Sequence, residues 1–129
     1  MKSGTGYSQG DLVLVPFPFT DLSSVKRRPG VVVSPTPFHR HQEDVVLVAV
    51  TFQIPQAVSE FELPLTQKDM AIGTLPRQSV IRLTKLLTVH QRLVVKRVGR
   101  LRGEALERAL KRLRTFFSRP SKYNTHHKC

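Results

Sequence analysis

The chain has 129 residues, 40% of them hydrophobic, and a formal net charge of +12. That length fits one domain with one real core, and no apolar run approaches the roughly 18–20 residues of a membrane helix. Residues 1–70 hold six Lys/Arg against seven Asp/Glu, whereas residues 71–129 hold fifteen against two, so the basic half attracts polyanions, nucleic acid first and acidic proteins second.

Residues 1–9 read as a flexible lead-in without the apolar segment of a signal peptide. With the single Cys129 excluding an internal disulfide, this points to the cytoplasm. Asp11–Pro16 reads as a strand buried on both faces, because Leu12-Val13-Leu14-Val15 is continuous; Pro16 and Pro18 end it, having no donor for a ladder. The cations Lys26-Arg27-Arg28 follow, and Pro29 stands before a second strand over Val31–Ser34. The segment from Pro35 to Asp44 reads as a long loop, and Asp44–Phe52 as a third strand.

Glu60–Leu65 alternates, with Phe61, Leu63 and Leu65 on one face, and Pro64 marks it as an edge strand. A short helical turn is expected over Thr66–Met70. Further strands are expected over Ser79–Leu87 and Leu93–Val98. The period then changes: Leu106, Leu110, Leu113 and Phe117 lie on one face of a helix. Gly103 and Glu104 suit its start and Arg119-Pro120 its stop. Arg108, Lys111, Arg112 and Arg114 face elsewhere, as an RNA-binding surface or, the preferred reading, as solvated charge. The domain is expected over residues 10–118, with a disordered tail over 119–129. Short strands backed by one helix predict a mainly β fold, a small curved sheet closing into a partly open barrel.

The blocks Gly10-Asp11-x-Val13-x-Val15-Pro16-Phe17-Pro18-Phe19-Thr20-Asp21, Lys26-Arg27-Arg28-Pro29, Val48-Ala49-Val50-Thr51, Gly73, Pro76, Ser79-Val80-Ile81-Arg82-Leu83 and Gly99 are specific in their order and spacing. On them the chain resembles the MazF/PemK toxins of type II toxin–antitoxin systems. The resemblance implies an SH3-like barrel of the CcdB/Kid/MazF type with a C-terminal helix, commonly a homodimer. It implies an endoribonuclease that cuts single-stranded RNA, messenger RNA among it, at short sequences with no metal or other cofactor. It also implies a cognate antitoxin whose acidic tail occupies the RNA site.

Cleavage of that kind uses the 2′-hydroxyl as nucleophile and leaves a 2′,3′-cyclic phosphate and a 5′-hydroxyl. It requires stabilisation of the non-bridging oxygens, where the planar fork of arginine is suited. Arg28 aligns with the family's catalytic arginine, and Pro29 restricts it to extended backbone; its expected roles are phosphate stabilisation and proton transfer. Thr51 aligns with the family's threonine, although threonine also ends strands for β-propensity alone. Arg77 and Ser79 complete the expected catalytic set, Ser79 standing where some relatives carry an acid. Lys26 and Arg27 are read as RNA-backbone contacts or solvated charge, and Arg82 and Lys85 as RNA-binding. Phe19 is a candidate for base stacking, whereas Phe17 is more in keeping with a core or dimer aromatic. His39 and His41 make a weak metal pair without a Cys or carboxylate partner, and a base contact or an exposed loop suits them better. Two other classes remain open: a protein-binding poison like the gyrase-targeting toxins of this architecture, and a non-catalytic RNA- or DNA-binding barrel.

Overall fold

The computed structural model describes residues 6–18, 25–54 and 59–120. Seven strands form one antiparallel sheet: β1 (Asp11–Pro18), β2 (Val25–Val32), β3 (Asp44–Thr51), β4 (Glu62–Leu65), β5 (Met70–Ile72), β6 (Ser79–His90) and β7 (Lys96–Leu101). Their order is β4-β6-β3-β2-β1-β7-β5. A short helix α1 (Thr36–His39) joins β2 to β3, and helix α2 (Gly103–Phe116) follows β7.

The sheet carries apolar residues on both faces. On one face Leu12, Val31, Val48, Val50, Ile81 and Leu83 pack with Ala105, Ala109 and Leu113 of α2. Leu63 and Leu65 of β4 and Met70 of β5 join this same core. Residues from both outermost strands can share one core only if the sheet curls around it, so the architecture is a half-barrel closed by α2. The opposite face holds a second cluster of Val13, Val15, Phe17, Val32, Val45, Leu47, Val89 and Val94. Continuous apolar runs in β1 and β3 follow from this two-sided burial.

Pro64 does lie on an edge strand. The expectation that Pro16 ends β1 is corrected, since β1 runs to Pro18. Val95 N donates to the Leu14 carbonyl at 2.8 Å, which marks the side of β1 facing β7. Pro16, two residues on, turns its donor-less nitrogen to that side, where pairing with β7 has already stopped at Leu14. β2 starts earlier than expected, so Lys26, Arg27 and Arg28 lie within a strand. A 3-10 turn, Gln67–Asp69, is closed by Thr66 N donating to Asp69 Oδ2 at 2.8 Å. Strand β5 follows it, three residues that carry no readable period of their own.

Residues 7–9, placed in the lead-in by sequence, are tied to the sheet. Ser8 N donates to Asp11 Oδ2 at 2.8 Å, and Gln9 Nε2 donates to the Val33 carbonyl at 2.8 Å. The Tyr7 carbonyl accepts from His39 Nδ1 at 2.9 Å. With Nδ1 as donor, His39 Nε2 accepts from Ser34 Oγ at 2.6 Å, while that hydroxyl accepts from Val46 N at 3.0 Å. His39 is 2% exposed, so it latches α1 to the sheet and is neither a base contact nor part of an exposed loop. Asp11 is fully buried: Arg100 Nε donates to its Oδ1 at 2.8 Å, and Arg97 Nη1 lies 3.8 Å from Oδ2. The 119–129 tail is described only as far as Pro120, and Phe19 lies outside the described residues.

Candidate active site

Alternation along each strand decides which side chains meet. Arg82 lies opposite Ala49 on β3 and Glu62 on β4, and Thr51 lies opposite Val80. Gly30 pairs with Ala49, so Arg28, two residues earlier on β2, shares that face. Arg28 itself lies opposite Val15. These positions continue the face that carries Val13, Val15 and Phe17. There Phe17, Arg28, Thr51, Gln53, Arg82 and Lys85 line a cleft of about 160 Å³, floored by Ala49 and Val50.

Three local features shape the cleft. Gly30 makes room for the aromatic: a Cβ there would stand 3.3 Å from Phe17 Cε2 and 3.1 Å from the Val48 carbonyl oxygen. Thr51 Oγ1 accepts from Gln53 N at 3.2 Å, which leaves the hydroxyl proton to be donated outward. The third feature is a wide bulge in β6. Ala49 pairs with Arg82 but Val48 pairs with Leu86, so Leu83, Thr84 and Lys85 are accommodated against no residue of β3. The bulge turns Lys85 into the cleft. It also reverses the alternation: Arg82 faces the cleft, whereas Leu86 joins Leu110 and Leu113 in an apolar groove on the helix side.

The cleft is cationic, and Glu62 pairs with one of its arginines. Glu62 Oε2 lies 3.6 Å from Arg82 Nε across β4 and β6, and Oε1 accepts from Ser59 N at 3.0 Å. The carboxylate thus stands behind the guanidinium and is anchored by backbone. Sequence reasoning missed Glu62, Gln53 and the bulge. The alternation of Glu60–Leu65 does put Glu62 on the face away from Leu63 and Leu65, but only the β4–β6 register puts it beside Arg82.

Four of the residues expected from sequence, Arg28, Thr51, Arg82 and Lys85, are brought together here. Lys26 lies opposite Phe17 on the same face, and Arg27 lies opposite Pro16 on the other. Ser79 and Arg77 do not join them. Ser79 is fully buried, pairs with Leu65, and its Oγ donates to the Arg77 carbonyl at 2.9 Å. Its side chain shares the face of Ile81 and Leu83, the helix side of the sheet. Burial and this hydrogen bond make Ser79 a support of the turn into β6, on the face away from the cleft. The Arg77 guanidinium sits 5.8 Å from the centre of the Phe52 ring, outside the cleft lining. A larger groove, about 890 Å³, lies along α2, but it lacks the arginine–threonine combination.

The fold is a half-barrel closed by α2, and the cationic cleft lies on the sheet face away from that helix. The family model for PemK-like, MazF-like toxins of type II toxin–antitoxin systems matches residues 8–117, so the chain belongs to that family. Among solved structures it is similar to an endoribonuclease from a mycobacterial species, with TM-score 0.68 and 17% identity over 92% of this chain and 97% of that one. It is equally similar in TM-score, 0.68, to an endoribonuclease in complex with its cognate antitoxin from mycobacterial species, at 16% identity over 89% and 100% of the two chains. A MazE–MazF complex from Deinococcus radiodurans gives TM-score 0.67 and 18% identity over 87% and 96%. No curated protein matches the sequence. At these identities the likeness concerns the fold.

Proposed function

We propose that this toxin is a sequence-specific endoribonuclease that cuts single-stranded RNA in the Arg28 cleft and is held inactive by an acidic antitoxin segment. The observation that carries the reading is the convergence of Arg28, Thr51, Arg82 and Lys85 from three strands on one cleft. Such a cluster suits a phosphodiester whose negative charge grows during reaction.

The substrate 2′-oxygen attacks phosphorus, the bond to the 5′-oxygen breaks, and a cyclic phosphate remains. The 2′-hydroxyl proton is released and the departing 5′-oxygen gains one. Arg28 and Arg82, with donors in fixed forks, bind the non-bridging oxygens as charge accumulates. The Thr51 hydroxyl donates to the same phosphate or orients the nucleophile. Lys85, on its bulge, neutralises an adjacent phosphate and holds register without reading sequence. Phe17 underlies the cleft and restricts how far a base can sink into it.

The names of the neighbours, endoribonucleases and antitoxin complexes, support the reading but are theirs. The test is incubation of the full chain with long single-stranded RNA in EDTA, followed by mapping of ends. Discrete cuts bearing cyclic phosphate, lost in Arg28→Ala, are expected. Uncut RNA across varied sequences would return the protein-binding and non-catalytic readings to the front.

A further inference from the structure

A groove larger than the cleft lies elsewhere on the molecule. It runs between α2 and the turn into β4, encloses about 890 Å³, and is lined by Phe61, Arg108, Lys111, Arg112, Phe116 and Arg119 among others. Its one carboxylate is Glu60, and the Glu60 carbonyl accepts from Arg112 Nη1 at 2.9 Å. Arg108 is paired with Asp69 at 2.8 Å. Lys111 and Arg119 have no carboxylate partner among the described residues. The groove is therefore strongly positive, and Arg108 and Arg112 are one helical turn apart, about 6 Å along the axis.

The apolar side is aromatic. Phe61 meets Phe116 edge to face at 5.4 Å between ring centres, and Phe116 meets Phe117 the same way at 4.9 Å. All three rings are exposed; Phe61 and Phe116 line the groove, and Phe117, the most exposed at 65%, lies beside it in the apolar groove of Leu86 and Leu110. The exposed parts of Phe61 and Phe116 border the groove beside its cations. A cationic row beside open rings is what an unpaired polynucleotide needs: phosphates along the row, bases on the rings.

We infer that this groove is a second binding track for single-stranded RNA, taking nucleotides that flank the segment held in the Arg28 cleft. This rests on the reading of the chain as a ribonuclease. Glu60 and Phe61 line the groove, and Glu62, the next residue, pairs with Arg82 on the other face of β4, so a strand running between the two sites passes over this edge. The chain's own end, Ser121–Cys129, carries Lys122 and Lys128 and no acid, so it does not complement the groove. An acidic peptide would match the charge but makes no use of the ring faces.

The probes are fluorescent 2′-O-methyl RNA strands, which lack the nucleophile and so report binding alone. One is about 20 nucleotides long and spans both sites, and one is about 5 nucleotides long and fits a single site. Lys111→Glu with Arg112→Glu should weaken the long strand about tenfold and reduce the slope of log affinity against log salt by about 1–2. Cleavage of a short unmodified strand, which needs only the cleft, should not change. Arg119→Glu, beyond the helix, should act in the same direction with no route through folding, and Phe117→Ala should weaken the long strand at unchanged salt slope. Unchanged long-strand binding in all of these variants overturns the inference, as does a polyglutamate peptide that depends on Lys111 and Arg112 when RNA does not. A protein that binds the long strand through these residues yet cuts no RNA supports the track and overturns the nuclease reading.

Discussion

Glu62 holds Arg82 from behind: its Oε2 stands 3.6 Å from Nε, while its other oxygen is fixed by the Ser59 backbone. The pair is partly exposed on the arginine side, so it contributes under about 1 kcal/mol to stability. Its effect lies in aiming the guanidinium. Glu62→Gln should lower kcat about tenfold, ~1.4 kcal/mol of barrier, with KM for RNA unchanged and the melting temperature nearly so. A wild-type kcat in the variant would remove Glu62 from the positioning of Arg82.

Arg28 and Thr51 reach the cleft from β2 and β3. Arg28→Lys keeps the charge but loses the fork, and cleavage should fall by about 10²-fold. Thr51→Ser should keep most activity, and Thr51→Ala should lose about tenfold if one hydrogen bond to the reacting group is removed. Single-turnover cleavage of a fluorogenic RNA measures both. Equal activity of Arg28→Lys and wild type would mean that charge alone suffices.

Ser79→Ala separates the structural role from a catalytic one. The variant loses a hydrogen bond to the Arg77 carbonyl, which should cost about 1 kcal/mol in denaturant unfolding. Its cleavage rate should stay within about twofold of wild type, because the side chain has no route to the cleft. A large loss of rate in a stably folded variant would put Ser79 back among the reacting groups.

Ser79 also shows how far the sequence can be read. Alternation places Ser79 with Ile81 and Arg82 with Val80, and the structure agrees. Both faces of the sheet are apolar, however, so alternation alone does not say which face carries chemistry. The answer comes from Gly30 pairing with Ala49 and Ala49 with Arg82, long-range registers that no local pattern encodes. Lys85 is harder still, because continued alternation would set it on the face of Leu83, and only the bulge brings it round. The strands β1, β3 and β4 and helix α2 are legible because each carries a strong period or a long apolar run. Strand β5 and helix α1 are not, being three and four residues held by their neighbours.

Asp11 anchors the opposite end of β1. It is a buried carboxylate that takes a hydrogen bond from Arg100 and another from Ser8 N. Asp11→Ala would strip these partners, and the expected loss is about 2–3 kcal/mol, read as a fall in the denaturation midpoint. Because the arginines are themselves partly exposed and rehydrate, the loss should stay below that of a wholly buried pair. Activity per folded molecule should be unaltered.

The bulge between Arg82 and Leu86 divides β6 into two separately paired lengths. The first is registered on β4 and the end of β3, and the second on the beginning of β3. Residues can be gained or lost within the bulge without sliding either length, since neither depends on the other for its pairing. Lengthening or shortening the bulge would therefore reshape the wall of the cleft at Lys85 while leaving the core under α2 in register.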